Sequence, residues 1–181
     1  MIEQKEELDQ FVITNWNKIS DYLDQEAKDI PIPFYNSVDI RESKYKYAPV
    51  DNNIYPAGFN NLCLLDLEES SYQIKSFKDQ KKLSQKNWGI LIESNTKNTF
   101  YLDNLFFLKK AIIESGIESV NFFSFDKNIF PEGKSHISLE SFSKFEINIY
   151  LAKYENGLFY IDSNNIETVI LNNDQSKKIE I

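Results

Sequence analysis

The segment from Ser37 to Cys63 holds the densest group of side chains that could bind a small charged molecule. Arg41 within it is the single arginine of a chain that has 20 lysines and arginines in total. A guanidinium presents a planar fork that binds a carboxylate or phosphate through two hydrogen bonds, which an ammonium group cannot do. The segment therefore predicts a site for an anionic group. The carboxylates and carboxamides near this arginine are Asp39, Asp51, Asn52, Asn53, Asn60 and Asn61.

The spacing within this segment suggests how the side chains are presented. Residues 37–41 alternate in polarity as a short strand does, so we expect Asp39 and Arg41 to project from one face. Together they could receive the ammonium and carboxylate groups of a free amino acid, or they could pair with each other. Four prolines and Gly58 predict a definite irregular path, and the alternative is a surface loop with turn-forming Asn and Asp. The prolines are Pro31, Pro33, Pro49 and Pro56.

A β-α-β unit is predicted over residues 88–125, with strands at 88–93 and 120–125 and a helix at 98–115 that stops before Gly116. The strands should be parallel with a right-handed crossover. The loop between the first strand and the helix then lies at the carboxyl edge of the sheet, where open α/β sheets bind ligands. The loop from Glu93 to Asn98 is therefore a candidate binding loop, and helix capping is the alternative for Thr96 and Asn98. The loop contains no glycine-rich dinucleotide or phosphate-binding motif.

Strands near the C-terminus extend this prediction. Residues 146–153 and 158–161 alternate in polarity around Asn156 and Gly157, which indicates a β-hairpin. Residues 167–171 predict a last strand that delivers Asn172, Asn173 and Asp174 to the same ligand edge. The fold class is therefore α/β, with a small, open, largely parallel sheet flanked by helices and a β-hairpin near the C-terminus.

The other segments carry weaker patterns. Residues 5–28 predict an amphipathic helix, broken near Asn15, whose apolar stripe packs into the core. Residues 62–87 predict a surface helix or a long loop. Residues 126–144 predict a loop with His136 on its surface, and no metal site is expected because no cysteine or second histidine accompanies it.

Composition narrows the classes of protein to which the chain could belong. A length of 181 residues suits one domain spanning residues 1–181. The formal net charge of −8 argues against a nucleic-acid surface. No apolar run is long enough to cross a membrane, and the charged N-terminus lacks the apolar core of a signal peptide. With Cys63 as its only cysteine, the chain is expected to be cytoplasmic.

Three stretches resemble the bacterial ATP-grasp type of glutamate–cysteine ligase. The first, SVDIR followed by KYAPVDNNIYPAGFNNL, matches the signature segment of that family in order and spacing. The second is ILIESNTKN at residues 90–98, continuing into FYLDN, and the third is ILNNDQS at residues 170–176. The family joins L-glutamate to L-cysteine through the side-chain carboxylate, in the first step of glutathione synthesis. Asn95 and Lys97 stand where the family usually has His and Arg.

The resemblance implies a substrate-recognising role. It implies that Arg41 binds an α-carboxylate, that Asp39 or Asp51 binds an ammonium group, and that ATP and Mg²⁺ are held by an ATP-grasp domain outside this chain. The chain would have a pre-ATP-grasp-like fold and resemble the N-terminal half of such a ligase. It would be a fragment, a truncated gene product, or one half of a split enzyme whose C-terminal half is encoded separately. A non-catalytic amino-acid-binding module and an inactive truncated remnant are the alternatives. The implied substrate-binding residues are Asp39, Arg41, Asp51, Asn53, Asn60, Asn61, Glu93, Thr96 and Asn98.

Overall fold

The computed structural model describes residues 3–31, 33–43, 46–55, 57–93 and 97–172. It divides into two compact units, Met1–Pro56 and Ala57–Ile181, and each unit is described by itself. That residues 1–181 act as one substrate-recognition domain remains a prediction. No helix within the described ranges is long and apolar enough to cross a membrane.

Two helices begin the first unit. Helix α1 spans Glu3–Thr14 and helix α2 spans Trp16–Ala27. Asn15 separates them, and its side-chain amide donates a hydrogen bond to the Phe11 carbonyl at 2.8 Å, which confirms the predicted break. The expected burial of the apolar stripe is wrong for α2, which has no buried residue. Trp16, for example, is 60% exposed, because no described element of this unit covers it.

A β-hairpin completes the first unit. Strands β1 (Ser37–Glu42) and β2 (Tyr47–Asn53) are antiparallel. Asp39 lies opposite Asp51, but the next pair is Ile40 with Pro49, so Val50 is an extra residue on β2. This bulge accommodates Pro49, which has no N–H to donate to the ladder. The predicted strand at residues 37–41 is confirmed, whereas the predicted irregular path is wrong for Tyr47–Asn53.

The second unit begins with a 3₁₀ turn at Phe59–Asn61, followed by helix α3 (Leu64–Lys81). Of the two alternatives for residues 62–87, the structure therefore has the helix. Strand β3 (Asn87–Ile92), helix α4 (Thr99–Glu114) and strand β4 (Ser119–Ser124) come next. Because β3 and β4 pair in parallel, the predicted β-α-β unit is confirmed. Gly116 follows α4 at a φ of 95°, a conformation that glycine adopts without strain.

Five further strands complete the sheet of the second unit: β5 (His136–Glu140), β6 (Glu146–Glu155), β7 (Leu158–Ile161), β8 (Asn164–Ile166) and β9 (Thr168–Asn172). The strand order is β8-β7-β6-β4-β3-β9, and β5 pairs with β6. The centre is parallel, because β9 and β4 flank β3 and β6 lies parallel to β4. Strands β5, β7 and β8 are antiparallel additions. The largely parallel α/β fold is thus confirmed.

Two local predictions near the C-terminus had different outcomes. The hairpin is confirmed, and its turn residues Asn156 and Gly157 both have positive φ, at 53° and 81°. The loop predicted over residues 126–144 is wrong at His136–Glu140, which forms β5. Ile137 and Leu139 in this strand are half-buried between exposed neighbours, a short alternation typical of a strand with one face toward the core.

The core lies on both faces of the sheet. Helix α4 packs on β4 and β6 and against α3, and Leu105, Leu108 and Ile112 of α4 are fully buried. Leu91, Phe123 and Ala152 belong to a separate cluster that Ile161 and Ile166 complete. The sheet and α4 therefore form a rigid frame, on which the loops at the carboxyl ends of the strands are held.

Candidate functional site

The hairpin of the first unit presents four of the predicted binding residues on one face. Directly paired residues of an antiparallel ladder share a face, as do residues two apart along a strand. Asp39 and Asp51 are directly paired, Arg41 lies two residues after Asp39, and Asn53 lies two residues after Asp51. All four side chains are exposed. This face therefore combines two carboxylates, a guanidinium and a carboxamide.

Arg41 makes no ion pair or hydrogen bond with any side chain that the structure describes. The alternative in which Asp39 and Arg41 neutralise each other is therefore not realised here. The ion pair of this hairpin instead joins Glu42 to Lys5 of α1, with 2.8 Å between the Glu42 carboxylate and the Lys5 ammonium. Arg41 consequently keeps its full set of donors for an anion.

Asp39 and Asp51 face each other with like charges. Such a pair directly across a ladder is destabilising, and a bound cation would relieve the repulsion. Among the described side chains, Asn53 alone donates a hydrogen bond to one of these two carboxylates, from its amide to Asp51 Oδ2 at 3.3 Å. An ammonium group placed between the two carboxylates would meet the chemistry of this position.

In the second unit, three buried polar side chains at the start of α4 hold three different parts of the chain. They are Tyr101, Asp103 and Asn104, each at most 7% exposed. A buried polar group is costly unless it is hydrogen-bonded. The partners of these residues therefore show which loops the helix positions.

Asn104 holds the turn that presents Asn60 and Asn61. Its Oδ1 accepts the backbone N–H groups of Gly58 at 2.8 Å and Phe59 at 3.0 Å. The Asn61 N–H then closes the 3₁₀ turn on the Gly58 carbonyl at 2.9 Å. Asn60 is half-buried and Asn61 is exposed. The stretch AGFNN at residues 57–61 is thus tied to the helix through a side chain distant in sequence.

Tyr101 joins the carboxyl ends of β3 and β9. Its hydroxyl accepts the Glu93 N–H at 3.2 Å and donates to the Asn172 carbonyl at 3.0 Å. Glu93 is exposed, whereas Asn172 is 1% exposed. Asn172 therefore lies at the edge where β3 ends, opposite Ile92, and its part in a ligand edge stays a prediction.

Asp103 holds the loop between β5 and β6. Ser143 donates to it through its backbone N–H at 3.1 Å and its hydroxyl at 2.9 Å. Burial raises the pKa of the Asp103 carboxyl, but hydrogen bonds from Ser141 and Ser143 outweigh burial and hold the pKa below its usual value. Phe142 of the same loop donates its N–H to the Thr99 carbonyl at 3.1 Å and stacks on Phe100.

Asn98 caps α4. Its Oδ1 accepts the N–H groups of Phe100 at 3.1 Å and Tyr101 at 3.3 Å, so the capping alternative is realised. Its amide nitrogen remains a donor on an exposed residue. The predicted residues Thr96, Asn173 and Asp174, and the substituted Asn95, lie outside the described residues. Lys97 is described and exposed.

Sequence reasoning did not select Tyr101, Asp103 or Asn104. All three belong to the FYLDN stretch of the second family-like match, at residues 100–104. The available signal was that two polar residues, Asp103 and Asn104, stand inside an apolar helix. Exposed polar faces are common on helices, so only burial distinguishes these residues as structural anchors.

The described residues do not fit a magnesium–nucleotide site. Among them, no group of three His, Cys, Asp or Glu side chains could hold a metal ion. The opposed carboxylates of Asp39 and Asp51 are a pair without a third acidic partner. The hairpin face thus carries exposed side chains of both charges, and no step through a nucleotide is derived from the described residues.

Comparisons with known proteins agree on one family. The family described as GshA, glutamate-cysteine ligase, matches residues 9–181. No curated protein matches the chain. A crystal structure from Methylobacillus flagellatus KT, provisionally assigned as a gamma-glutamylcysteine synthetase, is similar at 28% identity with a TM-score of 0.80. The match covers 92% of this chain and 38% of that protein.

Proposed function

This chain belongs to the glutamate–cysteine ligase family, and we propose that it recognises the amino-acid substrates for ATP-dependent formation of γ-glutamylcysteine. The observation that carries the proposal is the face of the β1–β2 hairpin. There Arg41 has no anionic partner among the described side chains, and Asp39 lies opposite Asp51. An α-amino acid carries the two complementary groups, a carboxylate and an ammonium, on one carbon atom.

In the proposed complex, Arg41 binds the α-carboxylate of L-glutamate through its two parallel N–H donors. Asp39 and Asp51 bind the ammonium group, which removes the repulsion between them. Asn53 orients Asp51 through the hydrogen bond at 3.3 Å. Because exposed ion pairs contribute only about 0.2–1 kcal/mol each, the hairpin face alone is expected to bind glutamate weakly.

The carboxyl edge of the sheet in the second unit is proposed to supply further substrate contacts. Glu93 has an exposed carboxylate there, and its backbone is fixed by Tyr101. The Asn98 amide nitrogen, Asn60 and Asn61 are further donors or acceptors on the same unit. Thr96, Asn173 and Asp174 remain predicted contacts, with Asn172 at the end of β9 leading into the last two.

ATP and Mg²⁺ are proposed to be held by residues outside the described part, in an ATP-grasp domain. Activating a carboxylate as an acyl phosphate requires a positioned cation and basic groups around the phosphates, and no group of three His, Cys, Asp or Glu side chains among the described residues could hold that cation. The chain's own residues would bind and orient the amino acids. A separately encoded C-terminal half is the proposed partner.

The test compares glutamate binding by the wild-type chain and by Arg41→Lys in titration calorimetry. This variant keeps the charge and loses the bidentate fork, so we expect binding to weaken by up to about fivefold, which corresponds to at most about 1 kcal/mol. Lys46→Gln is the matched control, because Lys46 is an exposed cation of the same hairpin and should leave affinity unchanged. Equal affinity of Arg41→Lys and wild type would exclude the assigned role of Arg41.

Binding of glutarate distinguishes recognition of the carboxylate by Arg41 from recognition of the ammonium group by Asp39 and Asp51. It has both carboxylates of glutamate without the ammonium group, so wild type should bind it more weakly, and Asp39→Asn should reduce that difference. Assays of γ-glutamylcysteine formation with ATP, with and without the protein encoded immediately downstream, then test catalysis. Product formed only with the downstream protein would support a split ligase.

A non-catalytic amino-acid-binding module is the second candidate. The charges of both signs on the β1–β2 hairpin face are all that such a module would need to bind an amino acid. This candidate predicts that the chain binds glutamate and that no nucleotide is turned over, with or without the protein encoded downstream. An inactive remnant would instead fail to bind glutamate at all.

A further inference from the structure

A cleft of about 330 Å³ lies on the second unit, away from the carboxyl edge of the sheet. It is formed by the C-terminal half of α4, by Phe122 of β4 and by the first residues of β6. Because β6 is parallel to β4 and begins at Glu146, the cleft opens toward the amino ends of these strands. It is therefore distinct from the edge at which Glu93 and Asn172 lie.

The inner walls of the cleft are apolar and fixed. Phe122 and Ile147 are 2% and 1% exposed, and Phe106 lies in parallel stacking with Phe145 at a ring separation of 3.8 Å. Ile113 adds an aliphatic wall that is 44% exposed. A volume of this size suits a small organic molecule.

Four charged side chains line the cleft, and three of them have partners. The Lys110 ammonium lies 3.8 Å from the Glu114 carboxylate, and Glu146 accepts a hydrogen bond from Asn148 at 2.9 Å. Lys109 makes neither an ion pair nor a hydrogen bond within the part of the chain that the structure describes. Its ammonium instead lies over the Phe122 ring, 5.3 Å from the ring centre.

The position of Lys109 is costly for a cation. Its side chain is half-buried, and burial lowers the pKa of its ammonium group because solvation of the charge is lost. The face of an aromatic ring attracts a cation but compensates only part of that loss. A bound anion would compensate more, since it would pair with the charge where water is already displaced.

We propose that this cleft binds a small organic monoanion, with its carboxylate on Lys109 and its apolar body between Phe106, Phe122, Ile113 and Ile147. Because its walls are apolar, the cleft should prefer an anion with an apolar body over a purely polar anion. Because of the Lys109 ammonium, it should prefer an anion over a neutral molecule of the same shape. This site does not depend on the proposed recognition of glutamate, because it shares no residue with the hairpin or the carboxyl edge.

The test uses benzoate as the probe and benzyl alcohol as its neutral counterpart, with binding followed by protein NMR. Benzoate should shift resonances of the cleft residues and bind at least about tenfold more tightly than benzyl alcohol. Lys109→Met keeps the length and apolar character of the side chain and should abolish that preference. Lys153→Met, which removes an exposed lysine near the opposite end of β6 from the cleft, should retain it.

A second measurement needs no variant. Burial lowers the pKa of Lys109, and a carboxylate bound beside it should raise that pKa again, which NMR titration of the lysine side-chain resonances can follow. No binding of benzoate, equal binding of benzyl alcohol, or an unchanged affinity in Lys109→Met would each overturn the proposal. Displacement of benzoate by glutamate would also overturn it, because the cleft would then be a substrate site.

Discussion

Asn104 and Gly58 are 46 residues apart in the chain, yet the Asn104 Oδ1 accepts the Gly58 N–H at 2.8 Å. The same oxygen accepts the Phe59 N–H, while the Asn104 amide nitrogen is buried without a hydrogen-bond partner among the described residues. One side chain of α4 thus fixes the turn that carries Asn60 and Asn61. The turn is therefore held by the Asn104 side-chain oxygen, and the Asn104 amide nitrogen does not contribute.

Replacing Asn104 with alanine should loosen this turn and destabilise the second unit. Two hydrogen bonds of about 0.5–1.5 kcal/mol each are lost, so we expect a decrease of about 1–3 kcal/mol in the free energy of unfolding by urea. The amide resonances of residues 57–62 should shift most. Gln80→Ala, which removes an exposed helical amide bonded only to Ser76, is the control. A loss no larger than that of the control would contradict the role of Asn104.

Tyr101→Phe should loosen the backbone at Glu93, just after the end of β3, while leaving the aromatic ring in place. Removing the hydroxyl leaves the Glu93 N–H and the buried Asn172 carbonyl without this partner, which we expect to cost about 1–3 kcal/mol. Hydrogen exchange at Glu93 should become faster. Tyr154→Phe removes a hydroxyl from an exposed position and should have no such effect. Unchanged exchange at Glu93 in Tyr101→Phe would show that the strand ends do not need the bridge.

Asp103 should make stability depend on acidic pH. Its pKa is lowered in the folded chain, so its hydrogen bonds stabilise the fold fully above the ordinary pKa of 3.8. That stabilisation is lost as the pH falls through the lower folded-state pKa. Asp103→Asn should therefore be less stable than wild type at pH of about 6, and the difference should shrink as the pH falls below 3.8.

Urea unfolding at several pH values measures this difference. Asp162→Asn is the matched control, since Asp162 is an exposed turn residue at a φ of 52° that asparagine also tolerates. The control should follow the wild-type pH profile. An Asp103→Asn profile parallel to wild type throughout would mean that another carboxylate causes the acid sensitivity.

Asp51→Asn should stabilise the hairpin while weakening glutamate binding. The change removes the repulsion between directly opposed carboxylates, worth about 0.2–1 kcal/mol, and amide exchange in β1 should slow accordingly. The same change removes one acceptor for the proposed ammonium group. Glu42→Gln, which breaks the ion pair with Lys5, should not slow exchange. If Asp51→Asn accelerated exchange in β1, the two carboxylates would not be repelling each other.

The sequence determined most of the elements of this protein. Apolar runs at residues 88–93 and 120–125, with helical spacing between them, specified the parallel pair β3 and β4, because such patterns can bury their apolar faces in few other ways. The break at Asn15 and the Asn156-Gly157 turn were likewise local properties. The short strand β5 was missed, because its alternation has only two half-buried positions, Ile137 and Leu139.

What the tertiary structure decided is which polar side chains meet. Alternation along β1 put Asp39 and Arg41 on one face, but only the bulged pairing with β2 set Asp51 opposite Asp39. From the sequence alone, Asn98 could be either a ligand-binding residue or a helix cap. In the structure it accepts two backbone hydrogen bonds and therefore caps α4. Asn104 and Tyr101 acquired their roles from strands and turns distant in the chain. Helical periodicity predicts on which face of a helix a residue lies. The hydrogen-bond partner of that residue depends on which loops pack against this face.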